Sequence, residues 1–318
     1  MRHLCEQRAD RLEAELKKQG RAPCLELPYL LSLGFSGDIS KARKAAALSG
    51  FIYLGCDILD DLHDNELPED QKNLSPALIS LAGSLLLTSL PTMAIARFFD
   101  DEKSRFAACQ AVSEALMVMA QGQSKDILSR FDGNLSVEDM EASVAAKSGE
   151  EMALFCRFAA LMAGQDEKTV RDCMQLGRDL SVALQIISDL TDIYENSIST
   201  DLGQGTLTIP LALHLLRLAP KEKDSFIGLW KESGKNPAAR FSLQQMLKNS
   251  GGVAHASMMI ESYSEKALLT LNSLPLGQVA RNGLEELIET ISRYAIGHLH
   301  DYFEKTGDAP MSARLMGM

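Results

Sequence analysis

The sequence predicts an all-α protein, a helical bundle around a central apolar cavity, and three observations carry that prediction. Segments rich in Ala, Leu and Met follow one another, with few strand-like alternations of apolar and polar residues. Short polar breaks, most of them marked by Gly or Pro, punctuate those segments at helix-length intervals. Several central segments are apolar nearly all round, as expected where facing helices enclose a site. In chain order, helices are expected over 4–19, 24–34, 39–63, 75–100, 103–130, 136–163, 167–196, 207–218, 222–232, 238–249, 252–273 and 278–305. The breaks are Gly37-Asp38, Leu67-Pro68, Asp132-Gly133-Asn134, Gly164-Gln165-Asp166, the 197–205 loop and Gly251-Gly252. No linker or internal repeat interrupts this order, so residues 1–318 are expected to form one domain, with 306–318 as a frayed tail.

Two acidic clusters stand out inside these helices. Asp57, Asp60, Asp61 and Asp64 are spaced i, i+3, i+4, i+7 and share one helical stripe beside the apolar run from Phe51 to Leu59. Ser188, Asp189 and Asp192 form the second cluster, in a helix of similar apolar character. Like charges crowded on one inward stripe repel each other, and a polyvalent cation makes them tolerable. Hard oxygen donors without Cys or paired His point to Mg²⁺, which bridges protein carboxylates to substrate phosphates. An acidic helix face in solvent is the competing reading, and the apolar flanks weigh against it.

Composition narrows the function classes. With 46% hydrophobic residues the chain can bury a large core. A net charge of -11 argues against nucleic acid as a partner. No apolar run is read as reaching the roughly 18–20 residues that span a bilayer, and the N-terminus lacks an apolar signal core, so no transmembrane segment is expected. Six cysteines, Cys5, Cys24, Cys56, Cys109, Cys156 and Cys173, show neither pairing nor metal spacing and read as reduced thiols of a cytoplasmic protein. His298 and His300 lack helical metal spacing and read as surface residues. Two acidic clusters facing each other across an apolar cavity would hold Mg²⁺ against a diphosphate leaving group, with the hydrocarbon tail below.

The motifs then carry a resemblance. Asp60-Asp61-Leu62-His63-Asp64 resembles the first DDxxD motif of the trans-polyprenyl diphosphate synthases, and Gln185-Ile186-Ile187-Ser188-Asp189-Leu190-Thr191-Asp192 resembles their FQIxDDxxD segment. Gln121-Gly122-Gln123 with Asp126 is similar to the family's GQ element, and Ala146-Lys147-Ser148-Gly149 with Leu154-Phe155 to its K-T-G/A-x-L-F segment. Asp201-Leu202-Gly203-Gln204-Gly205-Thr206-Leu207-Thr208-Ile209-Pro210 is similar to D-L-x-x-G-K-x-T-L-P. The resemblance implies the class I isoprenoid synthase fold, a homodimer and Mg²⁺, three ions when an allylic prenyl diphosphate is bound. It implies metal contacts from Asp60, Asp61, Asp64, Ser188, Asp189 and Asp192, a diphosphate contact from Lys147, and substrate contacts from Gln185 and Gln123. Arg178 is a further candidate for the diphosphate. Small residues at Gly55 and Cys56 imply a deep pocket suited to a C15 or C20 chain. The competing readings are a solvated cation for Lys147, a surface cation for Arg178 and a core amide for Gln185. Met117 and Met119 mark either a dimer contact or core packing.

Departures from the pattern set the functional expectation. Family members bind isopentenyl diphosphate in a cationic cradle, because a second diphosphate needs neutralising. Here the N-terminal G-K-R-x-R-P is replaced by Pro23-Cys24-Leu25-Glu26-Leu27-Pro28, the arginines after the first motif by Asn65-Glu66 and the later lysine by Thr206. Each lost charge-assisted contact costs roughly 1.5–3 kcal/mol of anion binding. The leading expectation is therefore a terpene synthase that ionises one allylic diphosphate and cyclises it. The alternatives are chain elongation with isopentenyl diphosphate as a prenyl diphosphate synthase, prenyl transfer to a peptide tryptophan, and a noncatalytic subunit of a heteromeric synthase.

Overall fold

In the computed structural model, residues 2–19, 22–131, 136–195 and 199–305 are described, with backbone alone at 2–3, 15–19 and 294–305. The expected tail at 306–318 and the break at 132–134 lie outside them, as do the side chains of His298 and His300. The helices run, in order, α1 Arg2–Gln19, α2 Pro23–Ser36, α3 Ile39–His63, α4 Pro76–Leu87, α5 Ser89–Phe98, α6 Glu102–Leu128 and α7 Val137–Val144. A π-helical turn at Ala145–Gly149 leads into α8 Glu150–Met162, followed by α9 Glu167–Tyr194, α10 Thr200–Gln204, α11 Ile209–Leu215, α12 Pro220–Ser233, α13 Pro237–Asn249, α14 Gly252–Ser273 and α15 Gln278–Lys305. Among the described residues there is no strand, and the all-α expectation holds.

The residues gather into two compact units, and each boundary falls inside a helical segment instead of at a linker. The first comprises Met1–Ala120, Gly149–Arg178 and Leu269–Glu285, and is organised around α3, which packs against α1, α2, α4, α5 and α8. Gly37 ends α2 at φ +65, a conformation open to glycine without strain, and its N–H returns to the Leu33 carbonyl. Asp38 then caps α3 by accepting from the Ser40 amide at 2.7 Å. Ala42, Ala45, Leu48, Ile52 and Ile58 bury one face of α3, and Ile58 meets Leu4, Ile79, Ala82 and Leu86. Two glycines make that crossing close: a Cβ on Gly83 would lie 2.6 Å from Leu59, and one on Gly55 2.8 Å from Leu87.

The helix expected over 75–100 is broken at Thr88. Pro91 explains the break, because a proline ring disfavours the helical carbonyl four residues earlier, here that of Leu87. The stretch also corrects the reading that no apolar run reaches membrane-spanning length. Pro76–Phe98 covers 23 residues with mean hydropathy 1.8 in its apolar window, 39% of which is buried. Length and composition alone pass that test, and a core helix passes it equally.

The second unit comprises Gln121–Ser148, Asp179–Leu268 and Glu286–Met318. Every residue of α11 is buried, in a core with Trp230 and Phe226 of α12 and Leu243 and Leu247 of α13. From α9 come Val182, Ala183, Ile186, Leu190 and Ile193, an inward stripe at helical spacing. The stretch expected as loop over 197–205 contains α10, with Ser199 accepting from the Leu202 amide at one end and Gly205 at φ +77 closing the other. Only glycine fits at 205, since a Cβ there would fall 2.2 Å from the Phe131 ring. Cys24, Cys156 and Cys173 are buried as thiols, and Cys5, Cys56 and Cys109 are half-buried.

Candidate active site

The first acidic cluster occupies the last turns of α3 in the first unit. Asp60, Asp61 and Asp64 are half-buried, and the helix ends with the Asp64 amide on the Asp60 carbonyl at 2.9 Å. Sequence reasoning missed the residue that meets them: Arg8 of α1, only 4% exposed. Its Nη1 lies 2.7 Å from Asp57 Oδ2 and 2.6 Å from Asp61 Oδ2. Its Nε and Nη2 donate to Gln71 Oε1 at 3.1 and 2.8 Å. Gln71 is fully buried, and its Nε2 has no hydrogen-bond partner. Farther out, Arg11 pairs with Asp70. No pattern rule points from an N-terminal helix to a motif so distant in sequence; a lone buried arginine becomes visible only once the chain is folded.

The carboxylate stripe fits a divalent cation. Its donors are hard oxygens, as Mg²⁺ requires, and a guanidinium drawn out of water onto the same carboxylates shows that they demand positive charge. Among the described residues no three acidic, His or Cys side chains already converge as a metal cage, so the carboxylates would have to turn toward an ion.

The second cluster is differently placed. Asp189 falls on the inward stripe of α9 between Ile186 and Ile193 and is 3% exposed. Its Oδ1 accepts from Gln185 Nε2 at 3.0 Å and its Oδ2 from the Ile209 amide at 3.1 Å. Gln185 in turn accepts from Ser148 Oγ at 3.0 Å. Burial, with the neighbouring charges of Asp192 and Asp126, pushes the Asp189 carboxyl up to about 6 against the pull of those hydrogen bonds. Asp192, also buried, accepts from the Ser199 hydroxyl and the Thr200 and Asp201 amides, anchoring the start of α10. Arg240 donates to the Asp192 and Ile193 carbonyls and closes the end of α9. Ser188 is the exposed member. Both carboxylates thus accept from backbone, amide or hydroxyl donors, partners that ligating carboxylates also carry, and each keeps further lone pairs that could face an ion.

The remaining candidates divide similarly. Lys147 sits on the π turn, a conformation frequent at functional sites, with Nζ 4.0 Å from Asp126 Oδ2. Gly122 explains how the turn approaches α6, since a Cβ there would meet the Lys147 amide nitrogen at 2.9 Å and the Ala146 carbonyl carbon at 3.1 Å. Both amide atoms of Gln123 are buried without partners. Arg178, considered for the diphosphate, is held by Glu150 at 2.7 Å in the first unit. Gly55 is accounted for by the α3–α4 crossing, and Cys56 beside it is half-buried.

The family profile described as "Polyprenyl synthetase" matches residues 29–247. The chain is 24% identical over 183 residues to solanesyl diphosphate synthase 2, chloroplastic, of Arabidopsis thaliana, covering 56% of this chain and 42% of that protein. It thus spans less than half the length of that relative. It is 22% identical over 259 residues to octaprenyl diphosphate synthase of Escherichia coli, covering 80% of this chain and 79% of that one. Among solved structures, geranylgeranyl pyrophosphate synthetase of Pyrococcus horikoshii superposes with a TM-score of 0.78 at 20% identity, over 91% of this chain and 90% of that one, which shows the fold. These similarities overturn the cyclase expectation, because the matched proteins are named as prenyl diphosphate synthases, which points to chain elongation. That expectation rested on cations missing from motif positions, and absence from those positions does not decide between cyclisation and elongation.

Proposed function

The chain belongs to the polyprenyl synthetase family, and from that premise we propose that it is a Mg²⁺-dependent trans-prenyl diphosphate synthase. Its substrates on this reading are an allylic prenyl diphosphate and isopentenyl diphosphate. The observation that carries the reading is the half-buried carboxylate stripe at the end of α3, intact in the residues that the family motif requires, with Asp61 paired to the buried guanidinium of Arg8. Asp60, Asp61 and Asp64 would hold Mg²⁺, which when bound neutralises the charge developing on the departing diphosphate. In the condensation, the allylic C1–O bond breaks with its electron pair leaving on the diphosphate. C4 of isopentenyl diphosphate bonds to C1, and a proton lost from C2 completes the new allylic double bond. Within the second unit, Lys147 is the cation assigned to diphosphate binding, and Ser148 and Gln185 fix one another beside Asp189. A homodimer is part of the proposal, supported by the exposure of Phe106, Met93 and Met117.

The test is incubation of the purified protein with Mg²⁺, isopentenyl diphosphate and geranyl, farnesyl or geranylgeranyl diphosphate in turn, with products separated by chain length. Prenyl diphosphates lengthened by five-carbon units are expected. An allylic diphosphate consumed at the same rate whether or not isopentenyl diphosphate is present, with no lengthened product, would sink the proposal.

A further inference from the structure

We propose that Arg8 of α1 is the internal counter-cation of the first aspartate cluster: it holds Asp57 and Asp61 while no metal is bound and yields Asp61 when a divalent ion arrives. The inference rests on the reading of Asp60, Asp61 and Asp64 as the metal site. It makes Arg8 a positioning residue, acting on substrate only through the carboxylates, and it makes the seating of α1 sensitive to metal.

Three observations converge on it. First, α1 buries the guanidinium of Arg8 to 4% exposure, while neighbouring Glu6, Ala14 and Glu13 stay in water. Moving a guanidinium out of water is unfavourable unless partners compensate, and the compensation here comes from the metal-binding stripe itself, at 2.6 and 2.7 Å. Second, Arg8 and an incoming cation compete for the same carboxylate. With a guanidinium 2.6 Å from Asp61 Oδ2, an ion accepted by that oxygen would sit beside a second positive centre and be repelled by it. Third, the clamp is incomplete on its far side. Gln71 turns its oxygen to Arg8 and leaves Nε2 buried without an acceptor, so the contact is stabilised by charge and not by a fully satisfied network. Besides Arg8, the contacts that seat α1 include Leu4 in the small core with Ile58 and Ile79, and the partly exposed Arg11–Asp70 pair. Loss of the Asp61 contact therefore weakens the seating of the helix, with Arg8 then held by Asp57 and Gln71 alone.

The experiment uses the full chain and Mn²⁺ alone, whose binding is followed by electron paramagnetic resonance, with no substrate present. Wild type is compared with Arg8→Met, Arg8→Lys, Asp60→Ala and Asp64→Ala. Arg8→Met should bind Mn²⁺ at least about tenfold more tightly than wild type, because a repelling charge beside the ligands is gone. Its metal-free melting temperature should fall. Arg8→Lys, a point charge without the bidentate fork, should lie between the two. In wild type, saturating Mn²⁺ should accelerate amide exchange across 4–14 of α1. That last measurement needs no variant and so stands even if Arg8→Met folds poorly. Unchanged or weaker Mn²⁺ binding in Arg8→Met, or unchanged α1 exchange on Mn²⁺ addition, would overturn the proposal. If neither Asp60→Ala nor Asp64→Ala weakens Mn²⁺ binding, the metal reading itself is at fault, and the Arg8 proposal falls with it for a different, recognisable reason.

Discussion

Asp189 offers the sharpest test of how the second acidic motif is used. Its carboxyl is 3% exposed and pushed up from 3.8 to about 6, with burial as the first cause. The unfolded chain loses this proton near pH 4, and the folded protein keeps it to about pH 6. Between those values the native state binds more protons, so stability falls as pH rises through the window and stays lower above it. A shift of about two units corresponds to roughly 3 kcal/mol, an order-of-magnitude figure. Asp189→Asn removes the ionisation while keeping the shape. The amide it introduces can be satisfied: if Gln185 turns over, its oxygen accepts from the introduced N–H₂ and its nitrogen donates to Ser148 Oγ, which leaves the introduced carbonyl oxygen for the Ile209 amide.

The expected result is a variant as stable as wild type at pH 4 and more stable at pH 8, by up to roughly 3 kcal/mol or about 5 °C in melting temperature. Thermal unfolding of both proteins from pH 4 to 8 measures it, and taking the difference cancels the titrating groups that do not interact with Asp189, leaving Asp189 with its neighbours Asp192 and Asp126. A variant less stable than wild type by the same amount at pH 4 and pH 8 would refute the reasoning, because it would show that Asp189 gains more from its donors than it loses by burial.

Other consequences are as direct. Asp60→Ala or Asp64→Ala should lower condensation at least about a hundredfold, measured as isopentenyl diphosphate incorporation, since each removes a ligand acting on developing diphosphate charge. Gly122→Ala should cost about 1–3 kcal/mol in chemical unfolding and reduce kcat, because the new Cβ forces the backbone around Lys147 to shift. His214 is buried against Phe226, with both ring nitrogens unpartnered, and burial holds its pKa below the usual 6.5. Stability should therefore drop as pH falls through 6.5, and His214→Leu should flatten that limb of the melting curve. Met117→Asp paired with Phe106→Asp should shift the protein to monomers in light scattering, and an unchanged mass would remove this face as the dimer contact.

Most of the architecture was legible because helix periodicity and Gly or Pro punctuation are local signals. The α3 and α9 boundaries follow directly from Asp38 at one helix start and Gly164 just before the other. What escaped notice depends on non-local contact or on a single residue. Pro91 broke a long apolar run that otherwise reads as one helix. The π turn at 145–149 adds no sequence mark of its own; its close approach needs Gly122 on another helix. The exposed Met117 and buried Met119 show the same limit, two residues apart and on opposite faces.

Motif spacing names residue types, but the surrounding stripe decides what they do. Asp60 and Asp64 of α3 keep partial access to water, whereas Asp189 shares its helix face with Val182, Ile186 and Ile193 and is carried inward with them. Once inside, a carboxylate must find donors, and the chain provides them from the segment that follows: the Ile209 amide for Asp189, and Ser199, Thr200 and Asp201 for Asp192. The same acidic pattern thus keeps partial contact with water on one helix and binds the 199–209 backbone on another. Charge obeys the same logic in reverse. Counting cations at motif positions described the charge of those positions alone, and it overlooked that the first cluster holds a guanidinium from α1, a helix that lies outside the 29–247 family match. A bundle can bring charge to a site from any helix that reaches it, so a cation missing from its customary position is evidence about that position and not about the charge of the site.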